Sequence, residues 1–134
     1  MAGRKIAAIF VGLTAFAAFA LVAGELTKAL WPDYAMVQPT RSYTLPMLVA
    51  RIVAGCVATL IAGWLAARVV HQEPQAGVFA GLGLLVLSLV WHVFVWYHYP
   101  VWYHLVWLIS IMPMAVLGAK LCKRANTASP HSVQ

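Results

Sequence analysis

Between Trp91 and Trp107 the chain gathers four of its six tryptophans (Trp91, Trp96, Trp102 and Trp107), three tyrosines (Tyr97, Tyr99 and Tyr103) and three histidines. His92, His98 and His104 recur at intervals of six residues. Imidazole nitrogens bind metals: a facing pair can hold a haem iron, and three can hold Zn or Cu. If the chain folds back at Tyr99-Pro100, all three rings come near one another, and they could also wall a quinone or other small-ligand pocket. Two features oppose a metal or haem. A haem needs flat walls of small residues, and this stretch is full of large rings. No Cys, Met or carboxylate at helical spacing completes a ligand set. The plainer reading is an aromatic belt. His, Trp and Tyr share an apolar body and a polar tip, and settle at the border of water and lipid.

Glu25 and Arg51 form the second constellation. An ionisable side chain inside a membrane span is costly and is by default a functional hypothesis. Counting along the helices from Lys5 and from Arg68 puts both residues near the same border. An ion pair or shared polar pocket between the first two spans is one expectation; separate snorkelling to headgroups is the other. Ser88 and Ser110 lie mid-span with no Ser-His-Asp arrangement around them, and in-span serines more often bond to their own helix. There is no phosphate-binding loop, dinucleotide fingerprint or metalloprotease motif, so nothing in the sequence argues for an enzyme.

The elements that carry these residues follow from composition. Of 134 residues, 63% are hydrophobic and 9% charged, against about a quarter charged in a soluble domain. Lipid, rather than polar surface, must cover such a chain. From Ile6 to Gly24 there is no charge, and at 1.5 Å per residue that run covers about 28 Å, enough to cross the hydrocarbon core. It exceeds the apolar region of a cleavable signal, so a retained first span is expected over residues 6–30. A loop over 31–44 follows, broken by Pro32 and Pro39. The second span, 46–70, is rich in Ala and Gly, which lets helix backbones approach where no hydrophobic drive exists. From Pro74 to Ala119 no Lys, Arg, Asp or Glu occurs. That run is long enough for two spans, 76–97 and 101–121, turning at Tyr99-Pro100. Gly77 and Gly81 form a small-residue pair at the start of the third span, expected to pack within the chain. Pro113 should kink the fourth, with Ser110 helping to satisfy the freed backbone. Residues 122–134 read as a polar tail. The fold class is therefore all-α, a single domain formed by a bundle of four transmembrane helices.

The net charge is +6. Arg4, Lys5, Arg68, Lys120, Lys123 and Arg124 collect at one end of the spans, while Lys28 and Arg41 lie at the other, with Arg51 just inside that border. The positive-inside rule then makes both termini cytoplasmic. The cations edge apolar runs rather than forming a soluble basic patch, which excludes nucleic acid as the expected partner. Cys56 and Cys122 lack the spacing of a metal knuckle or redox pair and are expected to be free thiols.

Glu25, the pair Trp31-Pro32, and Ala62-Gly63-Trp64-Leu65-Ala66-Ala67-Arg68 together resemble a loose group of small four-span proteins of the bacterial inner membrane. The resemblance implies that architecture and location and carries no activity. With no catalytic motif in the sequence, the expectation is a non-enzymatic multi-pass protein embedded in the lipid bilayer, an accessory subunit or assembly factor for other membrane subunits, or a homo-oligomer, with no cofactor. Two alternatives stay open: a haem-, metal- or quinone-binding redox protein using His92, His98 and His104, and a small oligomeric transporter or channel using Glu25 and Arg51.

Overall fold

The computed structural model describes residues 2–70 and 75–127. All of the regular structure there is helical: α1 (Ala2–Leu30), α2 (Pro32–Val37), α3 (Leu45–Val69), α4 (Ala76–Phe94) and α5 (Val101–Thr127), with a 3-10 turn at Trp96–His98. α1, α3, α4 and α5 are each long and apolar enough to cross a membrane. The shortest, α4, has 19 residues, or about 28 Å of rise. The chain is a multi-pass helical membrane protein.

α1 packs on α3 and α4, and α5 packs on the same two helices. α3 and α4 also touch each other, which leaves α1 and α5 at opposite corners. Small residues set these distances. At the end of the bundle carrying Arg68 and Lys120, called here the basic end, Ala8, Ala66, Ala67, Ala76, Ala80 and Ala119 form one buried cluster with Val70 and Cys122. A Cβ at Gly63 would collide with the backbone carbonyl of Ala115, and one at Gly118 with that of Leu60. The α3–α5 crossing is therefore backbone against backbone, the contact that small residues permit between helices in lipid. Gly77 and Gly81 also face α5, at Ala115 and Met112, the role within the chain that was expected of them.

Toward the other end, the loop end, the buried residues become large: Tyr34, Leu84, His92, Tyr103, His104 and Ile111. The bundle is thus tightly drawn at one end and wedged by rings at the other.

Several boundaries differ from those expected. Residues 31–44 are not all loop, because α2 opens with Pro32 at its first turn. Proline lacks only an N–H that has no partner there anyway. The third span stops at Phe94 and passes through the 3-10 turn before Pro100. The fourth continues as helix to Thr127, taking in the first part of the expected tail. It also runs on through Pro113. Ser110 Oγ donates to Trp107 O at 2.8 Å, whereas the carbonyl that Pro113 frees is that of Ile109. The sequence His71-Gln72-Glu73-Pro74-Gln75 reads as a short polar turn between the second and third spans; it falls largely at 71–74, and the rest of the tail at 128–134, outside the described residues.

Candidate ligand site at the loop end

Arg51 lies in the second turn of α3, and four of the five tyrosines surround it. Its Nη1 donates to Tyr34 Oη at 2.6 Å and to Tyr43 Oη at 3.4 Å, and its Nε to Tyr103 Oη at 3.4 Å. The guanidinium carbon lies 4.8 Å from the Tyr43 ring centre and 5.8 Å from that of Tyr99. The rings support one another: Tyr34–Tyr43 at 5.1 Å, Tyr43–Tyr99 at 6.0 Å and Tyr99–Tyr103 at 5.0 Å between centroids. Burial pushes the Tyr43 phenol up to about 12, against the pull of the Arg51 cation, and raises Tyr99 in the same way. These two phenols keep their protons at neutral pH. Tyr43 is also hydrogen-bonded to Tyr34, and the Tyr34 and Tyr103 hydroxyls that accept from Arg51 still have an O–H of their own to donate.

Glu25 does not join this cluster. It is exposed and pairs with Lys28, three residues on along α1. The i, i+3 spacing on one helix face makes that partner available without any tertiary contact. The expected Glu25–Arg51 pair gives way to a local pair on α1 and a tyrosine cage on α3. Among the described residues Arg51 meets hydroxyls and rings, and no carboxylate.

The histidines separate in the same way. His92 Nδ1 and His104 Nδ1 are 2.7 Å apart, and His104 Nε2 lies 3.2 Å from Trp96 O. His104 is fully buried, with Trp96 stacked on it at 4.6 Å. His98 is exposed in the 3-10 turn. Two of the three histidines converge, and among the described residues no three His, Cys, Asp or Glu side chains come together as a metal site would need. A shared tetrahedral metal would also hold its two nitrogens about 3.3 Å apart; at 2.7 Å they are hydrogen-bonded to each other.

The belt residues divide by direction. Trp91, Trp96, Tyr97 and Trp102 are exposed, Tyr97 almost completely at 97%. Tyr103 is buried, and Tyr99 and Trp107 are half-buried. These last three build the interior rather than the border.

Arg51 and His92 share a cavity of about 410 Å³ among α1, α3, α4 and α5, with Tyr34 of α2 at its rim. Phe16 and Trp107 meet edge to face at 6.2 Å and both line it. Gly55 is indispensable there, since a Cβ at that position would enter the Trp107 ring. Trp107 Nε1 points toward Ser88 Oγ at 3.5 Å. Ala20, Ala23, Ala50, Ala54 and Leu87 supply much of the remaining apolar lining. A few polar groups in an apolar cavity of this size is the usual form of a small-molecule site.

Tyr34 and Tyr43 are the site residues that sequence reasoning missed. Both fall in a stretch read as loop, and their partner is 17 and 8 residues away. The available signal was two tyrosines flanking the connection that leads to an in-span arginine. Compared with family models, curated proteins and solved structures, the chain matches none.

Proposed function

We propose that this protein binds a small lipid-soluble molecule inside the membrane, with the apolar body of the ligand in the loop-end cavity and its oxygen-bearing head against Arg51. The observation that carries this reading is the cavity itself, bounded by four helices and ending at a caged guanidinium. An arginine that no carboxylate neutralises is expensive in such a place unless its hydrogen bonds are filled. Three phenol oxygens fill part of that requirement, and an acceptor oxygen on a ligand would complete it. Many large apolar side chains are exposed along the helices, as lipid contact requires.

The test is to purify the protein in mild detergent, expose it to a quinone- and lipid-rich membrane extract, and weigh the complex by native mass spectrometry. One bound molecule per chain is expected. Ala54→Phe puts a ring into the cavity from an apolar lining position and removes no polar group, so it should abolish the adduct while the thermal melt stays intact. No adduct on the unsubstituted protein, or an undiminished one on the variant, would overturn the reading.

A further inference from the structure

The His92–His104 pair fixes where protons sit, and thereby what the cavity can recognise. Trp96 O is a carbonyl oxygen and can only accept, so His104 Nε2 carries a proton. A second proton on the same ring would make it a cation, fully buried and with no carboxylate beside it among the described residues, which is costly. His104 is therefore neutral, and its Nδ1 is a lone pair. The proton in the 2.7 Å contact must then belong to His92 Nδ1. That leaves His92 Nε2 as a lone pair, and no hydrogen bond to it occurs among the described residues. His92 lines the cavity. A chain of obligatory choices, beginning at one backbone carbonyl in the turn, thus makes His92, a residue of the cavity lining, a committed hydrogen-bond acceptor.

The polar groups around Arg51 have the opposite character. The guanidinium donates, and the two cavity phenols it bonds to, Tyr34 and Tyr103, each have an O–H of their own to give. Tyr103 separates the two regions: its hydroxyl accepts from Arg51, and its ring lies parallel to His92 with centroids 6.1 Å apart. His92 also lies parallel to Trp107 at 6.2 Å, so flat rings dominate this wall. A ligand that satisfies the site must accept at Arg51, donate at His92, and be flat and apolar between.

We infer that the cavity selects a hydroxyl-bearing aromatic lipid of the quinol type over its oxidised, carbonyl-bearing quinone, with His92 as the specificity-determining residue. This rests on the cavity reading above. A quinol offers an oxygen to Arg51 and an O–H to His92. A quinone satisfies Arg51 equally well but turns a second lone pair toward His92 Nε2, leaving two buried acceptors facing each other. Sites built to bond a hydroxyl reject the analogue that lacks it far more strongly than apolar sites reject a missing methylene.

Equilibrium dialysis of the detergent-solubilised protein against a decyl-substituted hydroquinone kept reduced, and separately against its quinone, tests this directly. The quinol is expected to bind at least about tenfold more tightly. His92→Phe should remove the preference. His92→Gln, whose amide oxygen can still accept, should restore part of it. His104→Phe should shrink it while His92 is retained, because the proton on His92 is then free to sit on either nitrogen; a merely structural role for His104 would weaken both ligands alike. Equal affinities, or a tighter quinone, in the unsubstituted protein would overturn the inference while leaving the cavity reading in place. Binding of neither ligand would overturn both.

Discussion

Arg51 shows how one charged side chain is kept inside a membrane protein without a counter-charge. Its donors meet oxygens and its faces meet rings, so hydrogen bonding and the ring quadrupoles share the work an acid would otherwise do. The arrangement depends on phenols that stay protonated, and this gives it a pH limit. The Tyr43 phenol titrates at about 12 in the fold, above its ordinary value of 10.0, because burial opposes its charged form. A raised value means that the fold holds the proton more tightly than the unfolded chain does. The contribution is complete below pH 10 and is lost as the pH climbs from there toward 12. Thermal melts in detergent at pH 9 and pH 11.5 should show a fall in stability, and Tyr43→Phe, which has no proton to lose, should reduce that fall. An unchanged fall in the variant would remove Tyr43 as a cause. The importance of Arg51 could be read from its place in an apolar run, but its partners could not. They come from α2, the following connection and α5, up to 52 residues away, and a tertiary cage leaves no local pattern. Glu25 misled for the converse reason: its depth matched Arg51, but Lys28 was closer on its own helix.

Among the elements, α3 and α5 make the closest crossing. Gly63 and Gly118 each face a carbonyl of the opposite helix, and a backbone atom cannot turn aside as a side chain can. Gly63→Val should therefore separate the two helices and cost about 3 kcal/mol, the upper part of the range for overpacking. Chemical unfolding in detergent would measure it, and a loss below about 0.5 kcal/mol would mean that the crossing is looser than described. Gly24 offers a control, because a Cβ there meets nothing within 4 Å. The abundance of Gly and Ala in residues 46–70 announced that this helix would be packed, but not against which neighbour. The spans themselves were legible because apolar length is a one-dimensional property. The ends were less so. Pro32 reads as a breaker by type and serves as a helix start by position, and the stop at Phe94 depends on how His92, Trp96 and His104 pack.

At the scale of the whole molecule, charge and size are both graded along the bundle. Most of the cations of the described chain crowd the end where alanines pack, and the rings crowd the other. If the first gradient sets orientation, the basic end is on the cytoplasmic side and the cavity lies toward the opposite face. A cysteine placed at Gln38, just beyond α2, should then be labelled by an impermeant reagent on intact cells; labelling only after lysis would reverse the topology.

The second gradient has a mechanical consequence. Where alanine and glycine hold backbones together, there is almost nothing left to compress. Where large rings meet imperfectly around a cavity, there is. The two ends of the bundle therefore differ in stiffness, and the loop end should account for most of the shrinkage in volume when the protein unfolds under pressure. A molecule seated against Arg51 and His92 would take up that slack. In that sense it would act as a missing piece of the core as much as a ligand.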